Sequence, residues 1–256
     1  MYRENRLKAR LGAGDKCLGC WLWLGSPDAA EILALAGFDV LMIDHEHGPG
    51  NFKTAIDIMR AASVGDSTVI MRVESDDAAF LKRALDAGVE GVMVPNIESA
   101  EQARAVVRAC RYPPRGRRGA AFSATRASDY GLRAAEYAKT AADNLLVIAQ
   151  IESATAVENI EQIAAVDGID MLFIGPTDLS GSVDKLLAFD DPEVLALIEA
   201  AERGIKQAGK KLGGIVMGGE TVAAKFDRGY DLLVAGGDVV FLREGAKALR
   251  AQAPES

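Results

Sequence analysis

A single-domain α/β fold, the (β/α)8 TIM barrel, is what the sequence predicts, on three observations. Eight short apolar runs alternate with amphipathic segments along 256 residues, about the length such a barrel needs. The runs are near-continuously apolar, as strands of a parallel sheet covered by helices are. The turn after the first run, LWLGSPDA, lacks the glycine-rich phosphate fingerprint that a doubly wound open sheet would normally carry there.

The apolar runs place strands at 17–24, 40–44, 68–73, 91–95, 145–152, 170–175, 212–217 and 231–237. Helical patterns fill the gaps. SPDAAEILALAG opens on a capping serine and closes on glycine, and DAAFLKRALDAG, SAEQARAVVRAC and AVENIEQIAAV carry the same 3.6-residue spacing. The irregular stretch 111–133, rich in Pro, Gly and Arg, is expected on the loop face of the barrel, where loops carry function. No linker divides the chain.

Composition narrows the function classes. The chain is 49% hydrophobic and 26% charged, with a net charge of −8, so it shows no electrostatic footprint for nucleic acid. No run is long and apolar enough to cross a bilayer, and the charged start MYRENRLKARL has no signal-peptide core, which makes cytoplasm the expected location. Cys17 and Cys20 stand as an isolated pair and read as buried, inert thiols within the first strand.

In such barrels the reactive groups gather at the C-terminal ends of the strands. Here Asp44, Glu46 and His47 end the second strand, Arg72 the third, Gln150 and Glu152 the fifth, and GPTDLS with Asp178 follows the sixth. Gln150 and Glu152, two apart, point to one side of their strand. If that side is the interior, the Glu152 carboxylate needs a counter-charge. Glu152 and Asp178 on adjoining strand ends suit a hard divalent cation; alternatively, Glu152 pairs with Arg72 and Asp178 caps a short helix. The chain has two histidines, His45 and His47, too few for a His-x-His zinc hydrolase. One of them serves better as a general acid/base. Strand parity sends His45 toward the helical layer and favours His47. No strand carries a lysine, with Lys210 and Lys211 just before the seventh, so Schiff-base chemistry is not expected.

The segments GFDVLMIDHEHGP, RYPPRGRRG, VIAQIESATAVENIEQI and GIDMLFIGPTDLS, in this order, resemble the metal-dependent pyruvate aldolases. This is the 4-hydroxy-2-oxoheptanedioate and 2-dehydro-3-deoxyglucarate aldolase family, within the citrate lyase β-like superfamily. The resemblance spans nearly the whole chain and implies a divalent ion (Mg2+, Mn2+ or Co2+) on Glu152 and Asp178. It implies cleavage of 4-hydroxy-2-oxo acids to pyruvate and an aldehyde through a metal-stabilised enolate. His47 falls on the family's acid/base, with Asp44 or Asp86 orienting it, and Asp86 is implied to reach a neighbouring subunit's site. Arg72 and Gln150, with Gly175, Pro176 and Thr177, fall on substrate-binding positions. A homo-oligomer, usually a hexamer, is implied, with the C-terminal helix (about 239–252) exchanged between subunits. Two stretches depart from the family pattern, GSVDKLLAFDDPEV after Asp178 and AGGD at the end of the last strand. Two other activities fit parts of the pattern. One is an acyl-CoA lyase of the malyl or citramalyl type, with Arg115, Arg117 and Arg118 meeting the CoA phosphates. The other is a phosphate-binding barrel isomerase using AGGD as an anion nest.

Overall fold

Alternate residues of the strands point inward and stack. Met42, Ile70, Met93, Ile148, Phe173 and Val234 belong to one buried interior cluster, while their neighbours Leu41, Val69, Val92, Val147, Leu172 and Leu233 pack outward in a second. In this computed structural model, which describes residues 2–217 and 219–254, the strands are β1 (Cys17–Leu22), β2 (Val40–Asp44), β3 (Thr68–Arg72), β4 (Gly91–Val94), β5 (Leu146–Ile151), β6 (Met171–Ile174), β7 (Lys211–Gly214) and β8 (Leu232–Gly237). They close in order, every pair parallel, into an eight-stranded barrel.

The helices are α1 (Arg6–Ala13), α2 (Pro27–Leu35), α3 (Phe52–Ala61), α4 (Ala78–Ala87), α5 (Ala100–Cys110), α6 (Ala134–Asn144), α7 (Ala154–Glu158), α8 (Ile160–Ala164), α9 (Pro176–Gly181), α10 (Pro192–Gln207), α11 (Val222–Asp227) and α12 (Asp238–Arg250). Ser26, Ser99 and Ser153 cap α2, α5 and α7 by accepting from backbone N–H groups of the first turn. The segment 156–166, expected as one helix, is divided between α7 and α8 at Asn159. Helix α1 closes the lower end of the barrel: Leu7 and Leu11 are buried in the interior cluster, and the Leu7 N–H donates to Thr68 Oγ1.

Two expectations need correction. The stretch 111–133 follows α5, not a strand, so it lies at the N-terminal end of the barrel, opposite the rim of strand C-termini. There it packs on the chain start: the Tyr2 N–H donates to Asp129, and Arg133 donates to the Tyr2 carbonyl. Strand β7 begins at Lys211 rather than after it. Its ammonium is at the lower end, 3.4 Å from Asp231, so the argument against a Schiff base holds. Cys17, Cys20 and Cys110 are free and buried. Burial pushes the Cys17 thiol up to about 11 and the other two up to about 12, as expected of inert side chains. Among the described residues no helix is long and apolar enough to cross a membrane.

Helix α12 buries only Asp238 and leaves Phe241, Leu242 and Leu249 exposed. Ile32 and Leu35 of α2 are exposed as well.

Candidate active site

Register builds the centre of the site. Asp44 and Arg72 are Cα partners across β2 and β3 and both face inward at the rim. Their side chains form a two-pronged ion pair, with Arg72 Nε 3.1 Å from Asp44 Oδ1 and Nη2 2.5 Å from Oδ2. Asp44 also accepts from Trp23 Nε1 at 2.7 Å and from the backbone N–H of Glu46 and of His47 at 3.0 and 3.2 Å. Burial raises the Asp44 carboxyl, but the Arg72 hydrogen bonds and charge outweigh it and hold the group below its usual value. The third guanidinium nitrogen, Nη1, is 3.0 Å from Glu46 Oε2, and the whole group lies over the Trp21 ring at 4.4 Å. Arg72 is thereby fixed on four sides.

The two histidines separate cleanly. His45 is buried between Phe52 and Phe80 on the helical side, and burial lowers its pKa. His47 is exposed, lines the rim cavity and holds its Nε2 3.9 Å from Glu46 Oε2. Asp44 accepts from the His47 backbone N–H and does not touch its ring; the carboxylate beside the ring is that of Glu46. On the acid/base role the resemblance implies, His47→Ala should cost roughly a hundredfold or more in turnover and leave the melting temperature unchanged. His45→Ala should do the reverse, losing stability to the cavity it leaves. Steady-state kinetics and thermal melts on both variants check the assignment.

On the opposite arc Glu152 is buried just past the end of β5. One carboxylate oxygen accepts from the Asn96 N–H at 2.7 Å, and the other from Gln150 Nε2. Asn96 reaches this position from β4 with a left-handed φ of 55°. Glu152 forms no ion pair among the described residues, since Arg72 is taken by Asp44 and Glu46. Burial, with Glu46 and Asp178 nearby, pushes its carboxyl up to about 7 despite the Asn96 hydrogen bond. Asp178, in the first turn of α9, is exposed, and α9 has no side-chain cap. Both halves of the ion-pair-and-cap alternative therefore fail. The side-chain amide oxygen of Gln150 is buried and has no hydrogen-bond partner among the described residues.

Gly175 joins the two acidic positions. A Cβ there would lie 2.7 Å from Glu152 Oε2 and 2.8 Å from Gln150 Nε2. Gly175→Ala should therefore displace the Glu152 carboxylate and, on the metal-ligand role the resemblance implies, weaken divalent-ion binding at least tenfold, read by calorimetric titration. An unaltered affinity would show that the carboxylate does not hold the ion.

His47, Arg72, Gln150, Gly175 and Asp178 line a rim cavity of about 440 Å3, together with Pro176 and Thr177. Asp86 lies elsewhere in this chain, in the last turn of α4, paired at 2.7 Å with buried Arg118. Arg115 pairs with Asp143 at the same lower end, and Arg117 lies there too, its N–H donating to the Arg108 carbonyl of α5, so none of the three arginines faces the rim, where CoA phosphates would be needed. At the end of β8 the Asp238 carboxylate accepts from the backbone N–H groups of Trp23, Leu24 and Val239. An anion is already in place there, which argues against a phosphate nest. Glu46, Trp23 and Asn96 were given no role by sequence reasoning. The spacing of Trp21 and Trp23, and of Asp44 and Glu46, two apart along the chain, was a usable signal for two of these three, Trp23 and Glu46.

The profile of the HpcH/HpaI aldolase/citrate lyase family matches residues 17–241. The chain belongs to this family. It is 37% identical over 248 residues to a hydroxypyruvate/pyruvate aldolase of Roseobacter denitrificans, covering 97% of this chain and 96% of that one. It is 41% identical over 250 residues to a 4-hydroxy-2-oxo-heptane-1,7-dioate aldolase of Klebsiella pneumoniae, covering 97% and 94%. A crystal structure of a family protein from Burkholderia cenocepacia superposes with a TM-score of 0.90 at 38% identity, over 96% of this chain and 98% of that one. The protein is an enzyme, a carbon–carbon lyase of the aldolase type.

Proposed function

We propose that this family member is a divalent-metal-dependent pyruvate aldolase, cleaving 4-hydroxy-2-oxo acids reversibly to pyruvate and an aldehyde. The observation that carries the reading is Glu152, a buried carboxylate with no cationic partner among the described residues, set directly behind Gln150 and Gly175, which line the rim cavity together with Asp178. A charge so placed calls for a cation. The donor set fits one: two carboxylates and the free oxygen of Gln150, all hard oxygen ligands, with Gly175 leaving room. Among the described residues no cluster of three or more His, Cys, Asp or Glu could hold a metal, so further positions fall to water and substrate oxygens. Mg2+, Mn2+ or Co2+ on Glu152 and Asp178 supplies Lewis-acid polarisation of the 2-oxo group.

The chain's own residues account for the rest. Arg72, fixed by Asp44, Glu46 and Trp21, presents a guanidinium where negative charge develops on the 2-oxo oxygen, with no reorganisation required. The Gln150 amide and the turn Gly175–Pro176–Thr177 orient the carboxylate end of the substrate. His47 takes the proton of the 4-hydroxyl as the C3–C4 bond breaks; the bond's electrons pass into the pyruvate enolate, which is then protonated at C3. Glu46 holds the imidazole toward the cavity. Cleavage of a 4-hydroxy-2-oxo acid, followed by coupled reduction of the pyruvate released, should stop with a chelator and return with Mg2+ or Mn2+. Undiminished turnover in the chelator would refute the metal assignment.

The proposal includes a homo-oligomer, expected to be a hexamer acting in the cytoplasm, in which α12 is exchanged and Asp86 approaches a neighbour's rim. The exposed Phe241, Leu242 and Leu249 of α12, and Ile32 and Leu35 of α2, support it, because apolar stripes of this kind mark association surfaces.

A further inference from the structure

The rim cavity has two unlike halves. From β2 round to β6 it presents His47, Arg72, Gln150 and Asp178, all used by the proposed chemistry. From β7 through β8 to β1 it is walled by Ile215, Val216, Val234, Val240 and Trp23. This wall is held in place. Trp23 lies so close over β8 that a Cβ on Gly237 would meet its ring at 2.4 Å, and it stacks on Trp21 with ring centroids 5.6 Å apart. The indole N–H is committed to Asp44, so Trp23 offers the cavity its apolar face and no donor.

Positive charge is scarce here. Among the described residues that line the cavity, Arg72 is the sole Lys or Arg, and Asp44 and Glu46 occupy its guanidinium. Once pyruvate is bound at the charged half, the second substrate has to extend along the apolar arc. A carboxylate carried there would leave water without gaining a partner, and would feel Glu46 and Asp178 as like charges.

We infer that the acceptor aldehyde is uncharged, its substituent lying along the arc Val216–Val240–Trp23, and that aldehydes bearing a remote carboxylate are disfavoured. The inference rests on the pyruvate-aldolase reading and goes beyond it, since family membership leaves the acceptor open. Opposition between a half-buried apolar wall and an unpaired charge is a discrimination that binding pockets make.

The test compares succinic semialdehyde with its methyl ester and with butanal as acceptors for pyruvate, at saturating Mg2+ or Mn2+. The ester differs from the acid chiefly by the charge. We expect kcat/KM for the ester and for butanal to exceed that for the acid at least tenfold. Val240→Arg should narrow the ratio by improving the acid, and Val216→Lys provides a second variant should the first fold poorly. Exchange of the pyruvate methyl protons, followed in the same samples, reports the first half-reaction separately. Equal or better use of the acid by protein that exchanges pyruvate protons would overturn the inference and leave the pyruvate reading intact. Loss of exchange in the unsubstituted protein would overturn both.

Discussion

Glu152→Gln is expected to abolish metal-dependent turnover, by roughly a thousandfold or more, while leaving the protein folded and more stable in the absence of metal. The two effects have one cause. In the native state the Glu152 carboxyl is pushed up to about 7 from an ordinary 4.5, burial being the largest contribution. The folded protein therefore holds a proton that the unfolded chain has released, and stability falls as pH rises from about 4.5 through 7. Glutamine mimics the protonated form and removes this cost, on the order of 1–3 kcal/mol above neutrality. It can still accept from the Asn96 N–H, so the local backbone has no reason to move. Thermal melts at pH 8 should show the variant above the wild type without added metal. Millimolar Mn2+ should raise the wild-type melting temperature and leave that of the variant unchanged. Equal stabilisation of both by the ion would remove Glu152 from the metal site.

Arg72→Met should damage stability and rate together. It strands Asp44, whose side chain is fully buried, without its counter-charge. Breaking one side of a buried pair costs about 3–5 kcal/mol, roughly 10 °C in melting temperature for a chain of this size. Arg72→Lys separates the two contributions. A lysine keeps the charge and recovers part of the stability, but its point-like ammonium cannot meet Asp44 through two nitrogens, Glu46 through a third and Trp21 through its face. Its kcat should remain down by about two orders of magnitude. The ion pair also predicts an acid limb. Asp44 is held below its ordinary 3.8, so its contribution is complete above that value and is lost as pH falls through the lower native one. Asp44→Asn, already without the charge, should lose less stability than the wild type over that range.

The barrel was legible because inward and outward positions on every strand are apolar, a pattern that only a helix-covered parallel sheet produces at this length. The strand ends were legible for the same reason: Asp44, Arg72, Gln150 and Glu152 interrupt that pattern on the inward face. Parity sent His45 toward the helical layer, where Phe52 and Phe80 flank it, but by itself favoured His47 only slightly; the acid/base role of His47 came from the family resemblance. Pairwise partnership was not legible. Glu152 and Asp44 are equally plausible partners for Arg72 until the β2–β3 register sets Asp44 directly beside it. The face of 111–133 was misread because it was counted from β4 and not from α5, and Asn96 reaches Glu152 through a left-handed turn that carries no periodic signal.

On the proposed reading, the rim activates pyruvate through a cation shared by Glu152 and Asp178. Proton NMR of pyruvate in D2O with the protein tests it most directly, because it needs no knowledge of the aldehyde. With Mg2+ or Mn2+ the methyl signal should decay by exchange. The decay should stop on chelation, and both Glu152→Gln and Asp178→Ala should lack it. A methyl signal that stays intact with wild-type protein and metal, or one that exchanges equally in the two variants, would contradict the account.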